Sequence, residues 1–230
     1  MIAEMGKTGA SKTLGIIHAG TWVAAVGKRF SDEILPGVPI LYVCDDTIQY
    51  DFMKAGVGNI PTANYWRVAT HARALQNSGC DLVMVGCSTM SRSVEYAQPM
   101  VDVPMLQIDR PMYDKAVRLG KRIGLLATLD TTVPSSTRLL QRAADEAGTK
   151  VEIATVLCRE AFERLLAGDV ARHDALVLEE IDRLARQVDV ITLAQLSLAA
   201  LEDKVASAPV PVLNSAREGF TRAKQMLDAM

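Results

Sequence analysis

Metal-binding and stacking groups are both scarce in this chain. Its 230 residues hold three histidines (His18, His71 and His173), none in a metal-ligand spacing, so no metal site is expected. Four cysteines, at positions 44, 80, 87 and 158, include no C-x-x-C pair and make no disulfide framework. Aromatic residues are only 5% of the chain, which weighs against a large aromatic pocket. Trp22, Tyr42, Tyr50, Tyr65, Trp66 and Tyr113 remain available to line a smaller one. Neither sign of charge is in excess: Lys plus Arg is 25, Asp plus Glu is 27, and the net charge is -2. That balance leaves no electrostatic footprint for nucleic acid or an anionic membrane. No apolar run exceeds strand length, and residues 1–12 are small and polar. Neither a signal peptide nor a membrane span is read there, so a soluble, cytoplasmic protein is expected. Gly6-Lys7-Thr8 looks like the end of a phosphate-binding loop, but the upstream glycine of that motif and a preceding strand are both missing.

What the chain does have is apolar residues, 49% of the total, enough for one large α/β domain or two small ones. The stretch that organises it is Asp81-Leu82-Val83-Met84-Val85-Gly86-Cys87-Ser88-Thr89. Its apolar part shows no polar alternation, as in a strand buried on both faces of a parallel sheet. The strand stops at Gly86, and a thiol and two hydroxyls come directly after it. Ligands of open parallel sheets sit beyond the carboxyl ends of strands, so Cys87 is a candidate for chemistry.

Further strands are read at 13–18, 38–43 and 103–108, with helices at 22–30 and 64–78. Asn64 is placed as the cap of the second helix and Gly79 just past its end. The second half repeats the pattern, with strands at 122–128, 151–157, 189–193 and 210–213. Gly15 recurs as Gly124, Cys44 as Cys158 and Val103-Pro104 as Val210-Pro211, each about 110 residues later. The expected fold is therefore α/β, with two pseudo-symmetric flavodoxin-like halves. Each half has a four-stranded parallel sheet of order 2-1-3-4 with flanking helices, and the active-site cleft lies between them. The last helix, 215–227, is read as folding back onto the first half. The division is then 1–112 plus 214–230 for one domain and 113–213 for the other. In the repeat register Cys87 faces Gln195, and Gly86-Cys87-Ser88-Thr89 matches Ala194-Gln195-Leu196-Ser197.

Several residues after strand ends are candidates for the cleft. Ser88 and Thr89 are expected to cap a short helix over 91–97, where helix-start N–H groups lower a thiol's pKa from about 8.5. Thr128-Leu129-Asp130-Thr131-Thr132, before a helix opened by Val133-Pro134, is read as an anion seat for a carboxylate. Its counterpart His18-Ala19-Gly20-Thr21 has a glycine for close backbone approach, and His18 is a base or donor candidate. Cys44, Cys80 and Cys158 are read as packing residues. Asp45, Asp46, Asp109, Asn214 and Ser215 are read as loop groups.

Two α/β halves, Gly-Cys-Ser-Thr after the third strand and Ala-Thr-x-x-Thr-Thr-Val after the fifth resemble the aspartate/glutamate/hydantoin racemase superfamily. That superfamily includes maleate isomerases and arylmalonate decarboxylases. The resemblance runs from about residue 13 to the end of the chain. It implies a cofactor-free enzyme with paired cysteines in the cleft, acting at a carbon next to a carboxylate. The first cysteine matches Cys87; Gln195 stands where the second belongs. A carboxamide does not titrate in the working range and cannot exchange protons across a substrate, though it can hydrogen-bond a carboxylate or an enediolate.

The first reading is thus a cofactor-independent racemase- or isomerase-type enzyme on a small carboxylic or amino acid. Cys87 is its reactive group, and Gly20, Thr21, Ser88, Thr89, Thr128, Thr131, Thr132, Gln195 and Ser197 form the substrate shell. The second is a single-thiol decarboxylase or lyase. The third is a small-acid binding protein, which a free-thiol-like pKa at Cys87 would favour. A homodimer or higher homo-oligomer is expected from symmetry statistics alone.

Overall fold

A computed structural model describes residues 11–230; the Gly6-Lys7-Thr8 motif and most of the polar N-terminus lie outside them. The first half runs β1 (Leu14–His18), a 3-10 turn (Thr21–Val23), α1 (Ala24–Ile34), β2 (Ile40–Cys44), α2 (Asp46–Ala55), α3 (Thr62–Asn77), β3 (Leu82–Val85), α4 (Ser93–Ala97) and β4 (Met105–Gln107). The second runs α5 (Arg110–Leu119), β5 (Arg122–Ala127), α6 (Thr132–Glu146), β6 (Glu152–Leu157), α7 (Arg159–Leu166), α8 (Val170–Leu184), β7 (Val190–Leu193), a long 3-10 segment (Leu196–Lys204), β8 (Val212–Asn214) and α9 (Ser215–Asp228).

The two sheets are parallel and share one topology, β2-β1-β3-β4 and β6-β5-β7-β8. Central strands β1, β3, β5 and β7 are buried along nearly their whole length. Their predominantly apolar sequences reflect helices covering both faces. Edge strand β2 is only partly buried. Three strands start two residues later than the sequence reading placed them, each directly after a proline. Pro39, Pro104 and Pro211 carry no N–H for the ladder, yet their carbonyls accept from Leu14, Val83 and Ile191. Pairing therefore opens at or just past the proline, and β2, β4 and β8 are shorter by two residues at that end.

Two helix starts also differ. The helix over 64–78 begins at Thr62, directly after Pro61, so Asn64 is not its cap. Asn64 is fully buried; its Nδ2 donates to the Ile48 carbonyl (3.0 Å) and its Oδ1 accepts from Arg67 (2.9 Å), tying α2 to α3. The helix foreseen at 22–30 opens with the 3-10 turn and extends to Ile34.

Four apolar clusters fill the layers, two on each sheet. In one of them Ala216, Phe220, Ala223 and Leu227 of α9 pack with Leu14, Ile16, Leu82 and Met84 of the first sheet. Conversely, Met112, Tyr113 and Ala116 of α5 pack with Ile123 and Leu125 of the second. No helix among the described residues is long and apolar enough to cross a membrane. No group of three or more potential metal ligands occurs among them either.

Candidate active site

The carboxyl ends of β1, β3, β5 and β7 converge on one cavity. From the first half come Gly20, Trp22, Gln49, Phe52, Gly86, Cys87, Ser88 and Thr89; from the second, Leu129, Thr132, Gln195, Leu196 and Ser197. Cys87 is the one titratable side chain among its lining residues.

Cys87 is half-buried. It opens a run of tight turns in which Met90, Ser91, Ser93 and Val94 each donate to the carbonyl three residues back, at 2.8–3.3 Å. The expected cap is not formed. The regular helix begins at Ser93, and no side chain caps it. Ser88 and Thr89 instead stay in the turn and line the cavity, with Thr89 Oγ1 3.2 Å from Thr132 Oγ1 across the cleft. The thiol pKa moves opposite to expectation: burial pushes it up to about 11, against the pull of the Met90 and Thr89 backbone N–H groups. The buried Asp109 carboxylate adds to the rise. The thiol is therefore protonated at neutral pH, a proton donor and not a standing nucleophile.

Gln195, 5% exposed, corrects the anion-seat reading. Its Oε1 accepts from Thr128 N (2.5 Å), Thr128 Oγ1 (3.1 Å) and Leu129 N (3.1 Å). The backbone donors assigned to a substrate carboxylate are thus occupied by the protein's own amide oxygen. This bonding fixes the amide orientation. Nε2, which has no partner among the described residues, is the end left for a ligand.

Four expected site residues lie elsewhere. His18 is fully buried with Nδ1 3.3 Å from the Gly86 carbonyl, its ring stacked on Tyr42 at 6.1 Å and its pKa lowered by burial. A Cβ at Gly86 would lie 2.8 Å from this ring, so the glycine before Cys87 makes room for it. Thr21 binds the Asp46 carboxylate through its N–H (2.8 Å) and hydroxyl, on the surface. Thr128 is used by Gln195, and Thr131 faces a neighbouring cavity. Of the six aromatics, only Trp22 lines the cavity. It donates to Gln49 Oε1 (2.8 Å) and meets Phe162 of α7, in the other half, at 6.4 Å.

Sequence reasoning missed Gln49 and Phe52. The edge position of β2 argues for a place far from the cleft for the segment after it. Yet α2 starts two residues after β2 and carries both side chains to the cavity. The available signal was Gly20: a Cβ there would lie 2.3 Å from Gln49 Oε1, so this position admits no side chain.

Comparison with known proteins agrees with this architecture. A curated glutamate racemase from Trichodesmium erythraeum is 35% identical over 85 residues, which is 36% of this chain and 30% of that protein. The chain therefore matches under a third of that relative's length. The crystal structure of a glutamate racemase from Bacillus anthracis superposes with a TM-score of 0.72 at 18% identity, covering 95% of this chain and 82% of that one. A Picrophilus torridus aspartate racemase gives 0.73 at 14% identity, covering 94% of each chain. An allantoin racemase from Klebsiella pneumoniae gives 0.72 at 17%, covering 95% and 89%. The sequence model of the Asp/Glu/Hydantoin racemase family matches residues 23–223, and the chain belongs to that family.

Proposed function

We propose that this protein is a cofactor-independent enzyme of racemase or isomerase type. In this reading it acts at the carbon next to the carboxylate of a small carboxylic or amino acid. The observation that carries the proposal is the cavity lining: Cys87 alone can exchange a proton there, and donors surround it. The hydroxyls of Ser88, Thr89, Thr132 and Ser197, with Gln195 Nε2, hold the carboxylate. As charge builds on its oxygens in the enediolate, those bonds strengthen. Cys87 carries the proton to or from the adjacent carbon on its face.

A second reading is favoured by the same lining, since no titratable group stands opposite Cys87. In a decarboxylation of an acid with two carboxylates on one carbon, one C–CO₂ bond breaks, carbon dioxide leaves and the electron pair is held as the enediolate of the remaining carboxylate. The Cys87 S–H bond then breaks and its proton forms the new C–H bond, after which solvent reprotonates the thiolate. This step uses the thiol in the protonated form that burial favours.

Incubation in heavy water with a panel of small mono- and dicarboxylic acids and amino acids tests both. Deuterium entering the substrate pool at the α carbon as the second isomer appears supports the first reading. Gas release with one deuterium in the product supports the second. Either activity is expected to be lost in Cys87→Ala with the fold kept. Full turnover in that variant overturns both.

A further inference from the structure

Beside the Cys87 cavity lies a second one, also walled by both halves, with its own chemistry. Arg92 and Tyr65 enter it from the first half, Thr131, Ser135 and Arg138 from the second. Thr131 and Ser135 are 7% and 9% exposed, and both hydroxyl oxygens are buried without a hydrogen-bond partner. Unpaired buried hydroxyls cost stability unless something fills them. Arg92 has no carboxylate partner among the described residues; its guanidinium lies over the Tyr96 ring at 5.4 Å. Tyr96 in turn packs on Tyr65 at 4.8 Å. Arg138 bonds the Glu95 carboxylate (3.2 Å), which also accepts from Arg142 (2.9 Å). Two guanidiniums thus face one engaged carboxylate, so the cavity keeps a surplus of positive charge. The first turn of α6, a 15-residue helix beginning at Thr132, adds the positive end of its dipole.

We propose that this cavity is an oxyanion site, separate from the Cys87 cavity, that takes a phosphoryl or carboxylate group. Arg92 and Arg138 supply charge-assisted bonds, and the Thr131 and Ser135 hydroxyls supply neutral ones. Because the donors come from both halves, an occupant ties the two together. The site does not depend on the catalytic proposal, and its test needs no turnover.

Unfolding of the full chain is followed while inorganic phosphate is titrated at constant ionic strength, and separately with malonate. Ligand that binds only the folded state raises the midpoint in a saturable way, whereas salt exclusion does not saturate. A saturable rise with either anion is expected in wild type. It should weaken at least about tenfold in Arg92→Gln and in Thr131→Val, and persist in Ser197→Ala of the first cavity. Tighter phosphate marks a phosphoryl ligand and tighter malonate a carboxylate. The proposal is overturned if neither anion gives a saturable rise. It is equally overturned if the rise is unchanged in Arg92→Gln and Thr131→Val, or is lost only in Ser197→Ala.

Discussion

Single residues set the chemistry here, and three of them carry measurable consequences. Cys87 should react with iodoacetamide slowly at neutral pH, its rate climbing with pH toward about 11 and not levelling near an ordinary thiol value. A plateau below pH 8 would contradict the burial argument. Gln195 is the keystone of the opposite loop. Gln195→Ala strips the acceptor from two buried backbone N–H groups and should cost about 1–3 kcal/mol in denaturant unfolding. Gln195→Cys restores a second thiol but leaves the same donors unmet, so it should lose comparable stability. Asp109 is fully buried, accepts from the Ser91 hydroxyl, and is pushed up to about 6 by burial. Its carboxyl stays protonated in the folded chain where the unfolded chain has already ionised, so its contribution is kept below about pH 4 and lost as pH rises to 6. Asp109→Asn removes that loss. The variant's stability relative to wild type should therefore improve between pH 4 and pH 7, on the order of 1–3 kcal/mol. Midpoints at the two pH values that move in parallel for both proteins would refute it. Sequence alone placed Cys87 and Gln195 on strand ends correctly. It did not foresee the raised thiol pKa or the captured amide oxygen, because both depend on groups brought together across sequence gaps of more than 20 and 60 residues.

At the level of elements, local chemistry decided what was legible. An unbroken apolar run gave β3 and paired landmarks gave the duplication, and the order 2-1-3-4 expected for each sheet is the one found. Boundaries slipped where proline removed a ladder donor, at Pro39, Pro104 and Pro211. The role of Asn64 was not legible because its amide bonds Ile48 on another helix, a tertiary partner that no capping pattern reveals. The contact of α9 with the first sheet has a sharp test. A Cβ on Gly219 would lie 2.5 Å from the Ile108 carbonyl oxygen, which is backbone and cannot swing aside. Gly219→Ala should therefore push α9 off the end of β4 and destabilise the chain by about 1–3 kcal/mol, read as a lower urea midpoint. An unchanged midpoint would mean that α9 has slack at this point.

For the molecule as a whole, the two sheets are linked twice by exchange of helices. After β4 the chain passes to α5 on the second sheet, and after β8 it returns with α9 to the first. The lobes are thus laced together by α5 and α9, while the loops at their strand ends meet at the cavities. Repeat architecture was visible in the recurring glycine, cysteine and Val-Pro landmarks, since duplicated halves keep their punctuation. The bridging contacts were not, because they join side chains distant in sequence, such as Thr89 with Thr132 and Trp22 with Phe162. One such bridge makes the protein its own optical probe. Trp22, 42% exposed, lines the Cys87 cavity and meets Phe162 of the opposite lobe, and the only other indole, Trp66, stands 67% exposed on α3. Emission from a Trp66→Phe variant would then come from one fluorophore seated at the seam. Its colour should report any widening or narrowing of the cleft as a small acid enters, without label or coupled assay.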